Sequence, residues 1–165
     1  MANEFTGNEA IFDNFRNIPG FDLDAQVALI NKSQLFIDLL RFYTTPTDKH
    51  PAGTLTYNPD ENQNGYNGIK DLPSIAIHDI SGNNFVRILG HELGHAYDQL
   101  GVKQFTGTPM DFEEIIGQEQ DESEATAVSY IIRQQIRAAN GPDIGISNRI
   151  GERDPYSGPQ NWTVC

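Results

Sequence analysis

The segment His91-Glu92-Leu93-Gly94-His95 constrains the fold of this chain more than any other segment. Residues four apart on an α-helix point the same way, one turn along the axis. His91 and His95 can therefore present two imidazole nitrogens to one metal ion only if the segment is helical. The pattern HExxH on a helix is a signature of zinc hydrolases, in which the glutamate acts as general base. The segment thus predicts two zinc ligands and a catalytic role for Glu92.

The residues around the motif favour a helix over about 84–100. Apolar side chains recur through this stretch at helical spacing, and Gly101 is a suitable stop. Gly90 and Gly94 would each cost about 1 kcal/mol relative to alanine in such a helix. This cost suggests that something approaches the helix closely there, either the packed backbone beneath a metal site or an ordinary neighbouring helix.

The length and charge of the chain narrow the classes of protein it can belong to. A chain of 165 residues has the length of one ordinary domain, and we expect a single domain over 1–165. The 11 basic and 23 acidic residues give a net charge of −12, which argues against nucleic acid or an anionic membrane surface as partner. The single cysteine, Cys165, allows no intrachain disulfide.

The beginning of the chain and its apolar runs bear on where the protein acts. No apolar run approaches the length of a transmembrane segment, and the polar residues 1–10 lack the order of a signal peptide. We therefore expect a protein that is cytoplasmic or is exported by a dedicated secretion system.

The order of predicted elements indicates an α+β fold. The predicted elements are a helical pattern over 23–43 that Ser33 could divide, strands over 53–58 and 73–80, the motif helix, and a helix over 121–139. The Asn- and Gly-rich stretch 59–72 and the stretch 101–117 predict loops. This order matches a minimal zincin-like fold, in which a small sheet lies over the HExxH helix and a second helix supplies a glutamate ligand.

A catalytic zinc site needs a third protein ligand, and no histidine follows His95. The carboxylates downstream that could serve are Asp111, Glu113, Glu114, Glu119, Glu122 and Glu124. Helical phase places Glu124 at the edge of the apolar face of the helix over 121–139 and Glu122 on its polar side. The phase favours Glu124, with Glu122 and Asp111 as alternatives.

Three segments, the first of which contains the HExxH motif, resemble a known family. LGHELGHAYDQLG at 89–101, EATAVSYIIRQQIR at 124–137 and RDPYSG at 153–158 resemble the M91-type zincin peptidases, which include type III-secreted effector proteases and domains of polymorphic and Rhs-type toxins. In such proteins a glutamate opens the segment that matches EATAV, and this implies Glu124 as the third zinc ligand. The ExxxD pattern of other Glu-zincins would begin instead at Glu122.

The same resemblance extends to the tail and to the activity. It implies that the RxxY of the tail lies near the site, which makes Arg153 and Tyr156 candidates for stabilising the oxyanion. The expected activity is Zn²⁺-dependent hydrolysis of peptide bonds by an endopeptidase acting on a protein or peptide, as a delivered effector or toxin domain. An inhibitor or immunity protein is left open as a further partner. The alternatives are an amidase of cell-wall peptides and a non-catalytic binding module on a zincin fold, and the intact Glu92 favours catalysis.

Overall fold

The computed structural model describes residues 4–48, 51–60, 65–67, 73–99 and 117–147 and has an α+β fold. Its elements are a short 3-10 helix Ala10–Phe12, α1 Leu23–Ile30, α2 Gln34–Thr44, β1 Thr54–Tyr57, β2 Gly65–Asn67, β3 Ser74–Ile77, α3 Asn84–Gln99 and α4 Gly117–Ala138. None of the helices in these ranges is long and apolar enough to cross a membrane.

Two capped helices occupy the helical pattern of 23–43. The Asp22 side chain accepts a hydrogen bond from the backbone N–H of Ala25 and begins α1. The Ser33 hydroxyl accepts one from the N–H of Phe36 and begins α2, so the chain turns at Ser33 as the sequence allowed. Ser33 Oγ also donates to Oε1 of Gln135 over 2.8 Å, and this bond ties the start of α2 to α4.

The sheet has three strands in the order β1-β3-β2. β1 runs parallel to β3, with Leu55 opposite Ile75, and β2 runs antiparallel to β3. The prediction of a loop over 59–72 is wrong at β2, because a strand of three residues has too little apolar pattern to stand out from its Asn- and Gly-rich neighbours. Leu55, Ile75 and Ile77 are buried and form the core face of the sheet.

Helix α3 occupies the centre of the fold. It contacts α1, α2, α4, β2 and β3, and it follows the predicted range closely. Phe85 near its start lies 4.9 Å from Phe15 and 5.2 Å from Phe21 between ring centroids, both in edge-to-face arrangements. Each buried large apolar side chain stabilises the fold by roughly 1.5–3 kcal/mol, so α3 is fixed firmly on its apolar sides.

The end of α4 is joined to the segment that follows it. Arg133, buried within α4, donates two hydrogen bonds of 2.6 Å to the carboxylate of Asp143. These bonds lower the pKa of Asp143 to about 2. Ile144 and Ile146 are buried, and Gly145 lies beside Arg87 of α3, so the segment 141–147 connects α4 with α3.

Candidate metal centre

His91 and His95 lie one turn apart on α3 and are both buried, at 5% and 8% exposure. Their Nε2 atoms are 3.1 Å apart, and the two rings stand perpendicular with centroids 4.7 Å apart. The helix therefore directs the two nitrogens towards one point, as the spacing of the motif requires. Two neutral imidazoles are suitable ligands for a zinc-type metal ion.

Helix α4 brings a carboxylate to the same point. Oε2 of Glu122 lies 3.4 Å from Nε2 of His91, and Oε1 lies 3.7 Å from Nε2 of His95. The Glu122 side chain is 26% exposed, whereas its Oε2 is buried. Within the described residues, His91, His95 and Glu122 form a group whose ligand atoms all lie within 4.8 Å of one another and could hold a metal ion.

The separations of these three donors suit a tetrahedral ion. Ligand atoms bound at about 2.0–2.2 Å to a tetrahedral metal lie about 3.3–3.6 Å from one another. The two Nε2 atoms are 3.1 Å apart, and each lies close to one carboxylate oxygen of Glu122, at 3.4 Å for Oε2 and 3.7 Å for Oε1, so the separations are near that range. Two imidazoles and one carboxylate also form a known ligand set of catalytic zinc, which leaves a fourth position for water or substrate. The residues present therefore fit the metal that the motif implies.

Of the two glutamates of α4 that the sequence offered as third ligand, the group includes Glu122, the alternative. Glu124 is exposed and is absent from the group, whereas Glu122 is part of it. The helical phase favoured Glu124 because Ser129 and Arg133, which share the face of Glu122, are polar in type, although both are buried. Ser129 donates to the carbonyl of Ala125 and Arg133 to Asp143, so this face is turned inward with its hydrogen bonds satisfied.

Glu92 follows the first histidine on α3 and is also buried, at 6% exposure. A carboxylate is rarely buried this deeply in a protein without a partner or a function. The general-base role of Glu92 stays a prediction that rests on its position beside a histidine of the motif.

The other predicted site residues lie outside the described part of the chain. Asp111, Glu113, Glu114, Arg153 and Tyr156 lie outside the described residues, and the side chain of Glu119 is likewise not described. The predicted oxyanion stabilisers Arg153 and Tyr156 therefore stay predictions.

Comparison of the chain with protein-family models, with curated proteins and with solved structures gives no match. The resemblance to the M91-type peptidases therefore rests on the sequence segments alone, and the functional inference depends on the chemistry of the site.

Proposed function

We propose that the protein is a zinc-dependent hydrolase of peptide bonds with a zincin-like architecture. His91, His95 and Glu122 hold the metal, and Glu92 is the general base. The observation that carries the proposal is the convergence of an HExxH histidine pair with a carboxylate from a second helix, at separations of 3.1–3.7 Å. A small sheet beside the motif helix, followed by the helix that bears Glu122, supports the zincin-like part.

The chemistry divides between the metal and the chain. A zinc ion in this site would polarise the substrate carbonyl and lower the pKa of a water towards about 7. The Glu92 carboxylate accepts the proton of the attacking water and then delivers it to the leaving amine. His91 and His95 hold their nitrogens on a rigid, buried helix, so little reorganisation is needed when the metal and substrate bind.

Protein or peptide substrates are favoured over an acidic wall polymer, because the net charge of −12 repels polyanions. The resemblance of the motif segments to effector and toxin peptidases extends the proposal to an endopeptidase domain delivered to another cell.

The test combines metal content with activity on an unfolded protein substrate. We expect about one zinc per chain in the wild type and in Glu124→Ala, and loss of the metal in Glu122→Ala. Glu124→Ala is a matched control, because it removes an equal charge two residues away on the same helix. Glu92→Gln should retain zinc and lose hydrolysis, since an amide cannot accept the proton.

Three outcomes would contradict the proposal. Metal retained in Glu122→Ala would move the third ligand elsewhere. Hydrolysis that survives Glu92→Gln with metal bound would rule out the proposed base. Absence of zinc in the wild type, even after its addition, would favour a non-catalytic binding module.

A further inference from the structure

Gly94 lies between the two histidines of the motif. Of the two glycines of α3, Gly90 and Gly94, it is the one that lies closer to α4. A Cβ at Gly94 would lie 2.6 Å from Cα, 3.1 Å from Cβ and 3.3 Å from the carbonyl oxygen of Ala125. Two of these three atoms belong to backbone, which no change of rotamer can move. A side chain at Gly94 would therefore force the two helices apart.

The contact between Gly94 and Ala125 is directly linked to the metal centre. Ala125 lies one turn after Glu122 on α4, and Gly94 precedes His95 on α3. The backbone contact therefore fixes the distance over which the Glu122 carboxylate must reach the two imidazoles. We infer that Gly94 is a positioning residue for the third ligand, and that its missing side chain sets the affinity of the site for its metal.

The size of the displacement explains why one methyl group matters. An ordinary contact of 3.4–4 Å in place of 2.6 Å requires α4 to withdraw by about 1 Å. Metal–ligand distances tolerate departures of only about 0.2 Å. The Glu122 carboxylate must then either leave the metal or bind it in a strained conformation. This inference rests on the proposed function, since it takes Glu122 as a metal ligand.

Gly90 offers a matched control one turn earlier on the same helix. A Cβ there would meet Cδ1 of Ile132 at 3.2 Å, which is the end of a flexible side chain and can turn aside. Gly90→Ala and Gly94→Ala bring the same gain in helix propensity. They differ in whether the new methyl group meets a side-chain tip or the backbone of α4.

The experiment measures zinc affinity by competition with a chromophoric chelator. We expect Gly94→Ala to lower the affinity about 10- to 100-fold, the range found when groups that orient a ligand are changed. Gly90→Ala should lie within about threefold of the wild type, because it leaves α4 in place. In a Glu122→Ala background, where only the two histidines are left to bind added zinc weakly, Gly94→Ala should cause no further loss of affinity, since the ligand through which it acts is gone. With Co²⁺ added in excess, the visible spectrum of the bound ion should change in Gly94→Ala in the same direction as in Glu122→Ala.

Thermal unfolding of the metal-free proteins, monitored by circular dichroism, shows which variants are folded. Should Gly94→Ala not fold, Ala125→Val introduces bulk at the same contact from α4 and should lower the affinity in the same direction. A folded Gly94→Ala or Ala125→Val that binds zinc as tightly as the wild type overturns the inference. An equal loss from Gly94→Ala with and without Glu122 also overturns it. Failure of the wild type to bind zinc would instead overturn the proposed function itself.

Discussion

Oε2 of Glu122 on α4 lies 3.4 Å from Nε2 of His91 on α3. A metal ion bound between them would join the two helices that make the most extensive contact in the fold. Because the three donors converge only when α3 and α4 are packed together, the ion would bind the folded chain in preference to the unfolded one. Metal binding and folding are therefore expected to be coupled.

The first prediction is that zinc stabilises the protein. Free zinc at about 100 times its dissociation constant should raise the free energy of unfolding by about 2.7 kcal/mol. The shift in melting temperature, measured by scanning calorimetry with and without zinc, should be largely lost in Glu122→Ala and kept in Glu124→Ala. An equal shift in Glu122→Ala would show that the metal binds without this carboxylate.

The second prediction concerns the ion pair between Arg133 and Asp143, whose side-chain nitrogens and oxygens lie 2.6 Å apart. The hydrogen bonds from Arg133 lower the pKa of Asp143 from 3.8 to about 2 in the folded state. A lowered folded-state pKa means that the pair stabilises the fold above about pH 4, and that this stability is lost as the pH falls towards 2. Because the Asp143 side chain is 47% exposed, its contribution is roughly 1 kcal/mol after solvent screening.

Asp143→Asn tests this pair by urea denaturation over a range of pH. The variant should be roughly 1–2 kcal/mol less stable than the wild type at pH 7, because a buried guanidinium loses its charged partner. The difference should narrow below about pH 4 and close near pH 2. Arg137→Gln is the control, since Arg137 is 3.9 Å from Asp143 and half exposed, and it should change little. A difference between wild type and Asp143→Asn that does not depend on pH would contradict the assignment.

The third prediction concerns Ser33, which caps α2 and also donates to Gln135 of α4. Ser33→Ala should cost about 1–2 kcal/mol in free energy of unfolding, because it removes a cap and a buried hydrogen bond together. Asp22→Ala, which removes the cap of α1 alone, should cost less, about 1 kcal/mol. In urea denaturation of the double variant with Gln135→Ala, additive losses would mean that Ser33 and Gln135 do not act together.

Local signals in the sequence account for the parts of the fold that could be predicted. The motif fixes α3, and alternation of apolar residues gives strands close to β1 and β3, because both patterns repeat within a few residues. β2 could not be predicted, since its three residues become a strand by pairing with β3. Helix α4 begins at Gly117, at the end of a stretch that was expected to be irregular. Its first turns contain no apolar residues at helical spacing, so the sequence pattern does not indicate where the helix starts.

The sequence alone did not decide between Glu122 and Glu124 as the third metal ligand. Glu122 and Glu124 lie at different angles around the axis of α4. The prediction compared those angles only with the positions of the apolar residues of the helix. The face of Glu122 also contains Ser129 and Arg133, which are polar in type and yet buried, with hydrogen bonds to the carbonyl of Ala125 and to Asp143. The burial of this face depends on how α4 packs in the fold, so residue type alone favoured Glu124 over Glu122.

The last prediction concerns the charge of the substrate. A chain with a net charge of −12 attracts cationic peptides and repels anionic ones, and the attraction acts mainly on the rate of encounter. Two peptides with the same apolar cleavage site, one flanked by lysines and one by glutamates, should differ about tenfold in kcat/KM at low ionic strength. The difference should shrink above about 0.15 M salt, where the screening length falls to about 8 Å. A preference that does not respond to salt would come from contacts within the site, and a preference for the acidic peptide would reopen the cell-wall amidase alternative.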